Sequence, residues 1–335
     1  MISKKERWSK MKSSKPKVVV LGGGTGMPVL LRGLKHYPLD LSVIVTAADD
    51  GGSTGAIRQQ IKVPAPGDIR NVIASLSNVD EEMNNLFQHR FQAQHELAGH
   101  SLGNLVLVAM NQVTGNFYEA VKQVAELFQI EADILPVVNE EVTLHALMDD
   151  GSIVSGESNI PIKNKKINRV YLTPNDIKPM PNVVKAIMEA DVIIISPGSL
   201  YTSILPNIIM KDVIRALNQT EGKVIYVCNM MTQHGETDHY DATDHVKAIH
   251  DHIGCHTIDT IIVHNEEIIQ EVQDKYKIEK SYPVTYDKQA LENLGLHVIE
   301  ENMIDYKGTY IRHNTEKLAK LLYDYIQEKK CERKG

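Results

Sequence analysis

The sequence predicts an α/β protein built on a doubly wound, mainly parallel, Rossmann-like sheet, with a helical insertion and a small β-hairpin excursion. Two observations carry that prediction. Short aliphatic, β-branched runs recur along the chain, each followed by a polar or glycine-rich loop and then a helical pattern. The loops richest in glycine, hydroxyl and acidic residues follow the C-terminal ends of those runs, the edge on which such sheets bind ligands. With 335 residues, 42% of them apolar, the chain can fill one large core of this kind.

The run KVVVL (17–21) reads as a buried parallel strand, because it lacks the polar alternation of a half-exposed one. After its glycines, MPVLLRGLKHY repeats at helical spacing, and LSVIVTA (41–47) is a second buried strand. Residues 67–130 keep helical spacing, broken by AGHSLGN, and so form an insertion between sheet strands. LPVV (135–138) opens a β-rich part. There TLHALMDD and GSIVSGE alternate around Asp150-Gly151, a two-residue hairpin signal that accounts for Asp149 and Asp150 structurally. RVYLTP (169–174) is a further strand, and PMPNVVKAIMEA is a helix with proline at its start.

DVIIISPG (191–198) is a central strand entering a turn, and KVIYVCN (223–229) and DTIIVHN (259–265) repeat the type. YDATDHVKAIHDHIG is an amphipathic helix capped by Gly254. LHVIEENM (296–303) is read as the last strand, and TEKLAKLLYDYIQEKK as a closing helix whose basic end suits its dipole. The reading is a basic, flexible tail over 1–16 and one domain over 17–330.

A net charge of −7 argues against electrostatic nucleic-acid binding. Cys228, Cys255 and Cys331 are too far apart for a disulfide framework or a zinc knuckle. The N-terminal stretch is basic without an apolar segment, and the longest aliphatic run, VIII at 192–195, cannot cross a bilayer. A cytoplasmic protein, by default a homodimer, is expected.

Six loops could carry chemistry. LGGGTGMP brings Gly22, Gly23, Gly24, Thr25 and Gly26 to a strand–helix junction, where backbone N–H groups and the helix dipole favour a phosphate. A dinucleotide fingerprint fails at Met27, which disfavours an NAD-binding oxidoreductase, and no Walker lysine follows. DDGGSTG places Asp49, Asp50, Ser53 and Thr54 after the second strand, where an acid can take a ribose hydroxyl, a metal or a proton. APGDIRN offers Asp68 as a helix cap and Arg70 for phosphate. GHSLGN sets His100 and Asn104 on one helical face, with Ser101 as a cap. SPGSLYTSILPN repeats the first loop's logic with Pro197, Gly198, Ser199, Thr202 and Ser203. CNMMTQHGETD supplies Asn229, Thr232, Gln233 and Glu236. His234, His239 and His245 with Asp238, Asp241 and Asp244 match no zinc spacing, and no metal site is predicted.

GGGTG, DDGGSTG, PGDIRN, HSLGN, SPGSLYTSILPN and CNMMTQHGETD occur in this order. Together they resemble the YvcK-type gluconeogenesis factors, a branch of the CofD-like superfamily, over residues 17–325. The resemblance implies a bacterial cytoplasmic protein needed for cell shape and for growth on gluconeogenic carbon. It implies binding of UDP-sugars such as UDP-N-acetylglucosamine without an established reaction, and makes Tyr276 and Arg312 uridine contacts. The leading expectation is therefore a UDP-sugar-binding regulator acting on an unidentified protein partner. Its two glycine loops would hold the diphosphate, and Asp49 or Asp50 would face the sugar or a ribose.

The transferase branch moves a phospholactyl group from a guanosine diphosphate compound to a deazaflavin with magnesium. This sequence departs from that branch in GGSTGAIR and in CNMMTQHGETD. The alternative expectation is a related Mg²⁺-dependent transferase with Asp49 and Asp50 catalytic. Thr315, close to Arg312, is read as a helix cap before it is read as a phosphorylation site.

Overall fold

The structure, a computed structural model, describes residues 15–92, 97–254, 256–307 and 310–332. Most of the expected basic tail lies outside the described residues, as does Cys255. Seven strands form the main sheet: β1 (Lys17–Gly22), β2 (Asp40–Val45), β3 (Asp133–Pro136), β7 (Val192–Ile195), β8 (Lys223–Val227), β9 (Thr260–His264) and β10 (His297–Glu301). Their order is β10-β9-β8-β7-β1-β2-β3, and every pair is parallel. From β1 the chain winds outward to β3, then returns beside β1 as β7 and winds the other way. The order reverses between β1 and β7, which puts a crevice at their C-terminal ends.

These strands read as unbroken aliphatic runs because both faces are covered. Val18, Val20, Val192 and Ile194 pack with Leu30, Leu31 and Leu34 of the helix Gly26–Leu34 and with Leu318, Leu322 and Ile326 of the closing helix Thr315–Glu332. Val19, Leu21, Ile193 and Ile195 face the other way, onto the helices Pro181–Glu189, Lys211–Gln219 and Ala242–Ile253. Helices Gly67–Leu76, Glu81–Gln88, Leu102–Thr114 and Phe117–Leu127 form the expected insertion between β2 and β3.

Four readings change. The hairpin of β4 (Thr143–Met148) and β5 (Ile153–Ser155) is longer than a two-residue loop: Gly151 N–H reaches Met148 O at φ +81°, and Met148 N–H pairs with Ser152 O. That is a turn followed by a left-handed glycine, which adds one residue. RVYLTP becomes β6 (Ile167–Thr173), but it pairs antiparallel with β4 in a separate three-stranded sheet. LHVIEENM is not the last strand: β11 (Ile304–Lys307) and β12 (Tyr310–His313) follow as an antiparallel pair. They are short and half-exposed, so no aliphatic run marks them. Finally, His100 precedes the helix Leu102–Thr114, whose cap is Ser101, so it does not share a helical face with Asn104.

Among the described residues, no helix is long and apolar enough to cross a membrane.

Candidate functional site

The two glycine loops meet at the switch point. Ser196 N–H donates to Leu21 O at 2.9 Å, so the β1 and β7 loops leave the sheet side by side. Gly26 opens its helix against Pro197: a Cβ there would lie 2.2 Å from the Pro197 carbonyl oxygen. Asn229, at the end of β8, fixes the second loop from behind, accepting from Gly198 N–H at 3.0 Å and donating to Gly198 O at 2.7 Å. After Ser199 the backbone makes a π-turn, Leu200–Ile204, with Ile204 N–H bonded to Ser199 O. Such turns widen a helix start and recur at functional sites.

Around this junction opens a cleft of about 390 Å³, lined in part by Thr25, Gly26, Pro197, Gly198, Ser199 and Asn229. Its lining also includes Met230, Met231, Thr232 and Gln233 from the loop after β8, together with Tyr276 and Arg312. The structure therefore brings ten of the sequence-selected residues to one cleft. Tyr276 is mostly buried in a small cluster with Met230, Ile268, Val272 and Ile311. Its hydroxyl accepts from Ile311 N–H at 3.2 Å, so it also fixes the strand that presents Arg312.

The other selected residues form two neighbouring groups. Ser53 Oγ is a hub, accepting from Asn104 Nδ2 at 3.1 Å and lying 3.2 Å from His100 Nδ1. Thr54 Oγ1 and Asp49 Oδ2 close on Gly67. Arg70 donates to Asn71 Oδ1 at 2.6 Å and packs on Gly103, so it does not line the cleft. Thr202 Oγ donates to Glu236 Oε1 at 3.0 Å beneath the π-turn, and Ser203 faces Gly24.

The second group is acidic. Asp68 does not cap its helix, which begins one residue earlier at Gly67 behind Pro66. From the first turn its carboxylate instead accepts from Gly24 N–H at 2.9 Å. Asp49 accepts from Gly51 N–H at 2.8 Å, and Asp50 from Ser158 N–H at 2.9 Å, which ties the loop after β2 to the segment after β5. Gly156 permits that contact, since a Cβ there would lie 2.3 Å from Asp50 Oδ2. Beside Ser158 stands Glu157, which the sequence reading missed. Its Oε2 is closed off from solvent and has no hydrogen-bond partner. Burial, then the charges of Asp49, Asp68, Glu236 and Asp50, push its carboxyl well above the ordinary range.

Burial also raises Asp68 to about 6, against the Gly24 bond, and Glu236 to about 7, against the Thr202 and Tyr201 bonds. A carboxyl raised in the fold stabilises below its unfolded value, and that stability is lost as pH rises through the folded value. Asp68→Asn should therefore flatten the decline in unfolding free energy between pH 5 and 8, by on the order of 1–2 kcal/mol. Urea denaturation of both proteins across that range tests this, and parallel curves would refute it.

Among the described residues, no three His, Cys, Asp or Glu side chains are placed to hold a metal ion alone. Asp241 and Asp244 serve as a capping box, and His234 lies 2.8 Å from Asp238.

Comparison with known proteins agrees with this fold. The sequence model of the family described as 2-phospho-L-lactate transferase CofD matches residues 18–304. A protein of Bacillus subtilis (strain 168), named gluconeogenesis factor, is 51% identical over 314 residues, covering 94% of this chain and 99% of the relative. One of the same name from Halalkalibacterium halodurans is 46% identical over 310 residues, covering 92% and 96%. An X-ray structure of a Bacillus halodurans protein superposes with a TM-score of 0.91 at 46% identity, over 92% of this chain and 99% of that one.

Proposed function

The chain belongs to the CofD family, and from that premise we propose that it binds a UDP-sugar such as UDP-N-acetylglucosamine. In this reading it is a regulatory protein in a gluconeogenesis-related role, directing carbon toward the cell envelope and cell shape. One observation carries the reading: two phosphate-type loops abut at a single switch point, and Arg312 lines the same cleft. Glycine-loop N–H groups at a helix start attract a diphosphate. The guanidinium of Arg312 adds a planar donor for phosphate or for a base edge.

The test is calorimetric titration of the protein with UDP-N-acetylglucosamine, followed by phosphorus NMR of the same sample over a day. Micromolar affinity with an unchanged spectrum is expected. No binding at millimolar ligand would refute the reading.

A second reading, Mg²⁺-dependent transfer of a phosphate-linked group, is favoured by the partnerless Glu157 oxygen among Asp49, Asp50, Asp68 and Glu236. Carboxylate oxygens suit a hard cation, and because no three of these acids are placed to hold one by themselves, ligand phosphates would have to complete its shell. Bound there, magnesium would neutralise charge developing on the phosphates. New phosphorus signals that depend on magnesium would support this reading over the first.

A further inference from the structure

The nucleotide cleft continues into a second hollow that none of the selected loops explains. This groove, about 490 Å³, shares Thr25, Arg312 and His313 with the cleft and runs on between the helix Gly26–Leu34 and the insertion helices. The two ends differ in chemistry. The cleft end carries Met230, Met231, Tyr276 and Ile311, which suit a flat, largely apolar base. The groove end carries Arg32, Asn71, Ser75, Asn84 and Gln88. Side-chain amides, hydroxyls, a guanidinium and the carboxylate of Asp305 along one groove match a neutral group rich in hydroxyls, which can both donate and accept.

Asn84 sharpens the assignment. Its Nδ2 donates to Ala74 O at 3.2 Å, and a carbonyl can only accept, so the orientation of the amide is fixed. Its Oδ1 is buried without a partner and needs a donor. The two bridging phosphates of a nucleotide sugar are fully ionised near neutral pH and offer only acceptors, whereas a sugar hydroxyl offers a donor. Arg32, at the same groove, is partly desolvated, which lowers its pKa, and makes no ion pair among the described residues. Arg32 brings donors to the groove that Asn84 also lines, and a hydroxyl can both accept and donate.

We propose that this groove is the glycosyl subsite: the base lies toward Met230 and Tyr276, the diphosphate passes Thr25 and Arg312, and the sugar is read by Asn84 and its neighbours. This rests on the nucleotide-sugar reading above and adds the orientation of the ligand and the residue that senses the sugar.

The experiment is calorimetric titration of wild type, Asn84→Ala and Gln88→Ala with UDP and, separately, with UDP-N-acetylglucosamine, each variant being checked by thermal melting. Wild type is expected to prefer the UDP-sugar by about tenfold, as two or more net hydrogen bonds would give. Asn84→Ala should lose roughly fivefold in UDP-sugar affinity and keep its UDP affinity within about twofold. Gln88→Ala, at an exposed position that carries little risk to folding, should shift the ratio in the same direction. If wild type binds UDP without preferring the sugar, or if Asn84→Ala and Gln88→Ala leave the ratio unchanged, the subsite is wrong while the nucleotide reading stands. If neither ligand binds wild type, both fall together.

Discussion

Gly26→Ala is expected to reduce UDP-N-acetylglucosamine affinity by about a hundredfold or more, the largest single-residue effect on binding in this protein. The added methyl would lie 2.2 Å from the Pro197 oxygen and 2.8 Å from its carbonyl carbon. Both atoms are backbone, so no side chain can swing aside. The second loop cannot retreat easily either, because Asn229 holds Gly198 by both its N–H and its carbonyl. The two loops must therefore part, and displacement of a preorganised site by about 1 Å costs on the order of a hundredfold. Overpacking should also lower stability, by roughly 1–3 kcal/mol. Titration well below the melting temperature separates the two effects. Wild-type affinity in a folded Gly26→Ala protein would mean that the diphosphate does not lie between these loops.

Glu157→Gln is expected to do the opposite to stability. The wild-type carboxylate has one oxygen without a donor, and four other acids lie around it. Removing the charge relieves that repulsion, and glutamine keeps the shape. An unfolding free energy higher by about 1–3 kcal/mol at pH 8 follows from the cost of a buried polar group left unpaired. The gain should shrink as pH falls, because burial and the neighbouring acids favour the protonated wild-type carboxyl. Residues that lower stability in this way tend to be kept for function, so the same variant should weaken any magnesium-dependent step. A loss of stability at pH 8 would contradict the account of Glu157 as an unpartnered acid.

Much of this was legible in the sequence, for physical reasons. Strands buried on both faces must be aliphatic throughout, so β1, β7, β8 and β9 were visible as runs of four or five residues. Close approach of two backbones needs glycine, so the loops at the switch point were visible as glycines. The Asp-Asp-Gly run occurs twice, and its flanks separate the two: alternating residues around 149–151 form a hairpin, and the run at 49–51 follows a buried strand of the main sheet.

What stayed hidden depended on contacts distant in sequence. Asp50 meets Ser158 across 108 positions, and nothing beside Glu157 marks it as a neighbour of the site. Asp68 looked like a cap because its partner, Gly24, lies 44 positions away. Asn84 sits on a short, largely exposed helix with no local motif. Tyr276 and Arg312 came from family resemblance alone, and the structure adds the reason that they travel together: the tyrosine hydroxyl holds the strand from which the arginine projects.

The central claim is that one diphosphate lies between the loops after β1 and β7. A crystal structure of the protein grown with UDP-N-acetylglucosamine tests it most directly. The account predicts phosphate density within hydrogen-bond distance of the N–H groups of Thr25, Gly26 and Ser199, since those of Gly24 and Gly198 are held by Asp68 and Asn229, with Arg312 closing over it. Ligand density elsewhere, such as the groove between Lys166 and Lys247 behind Tyr201, would contradict it.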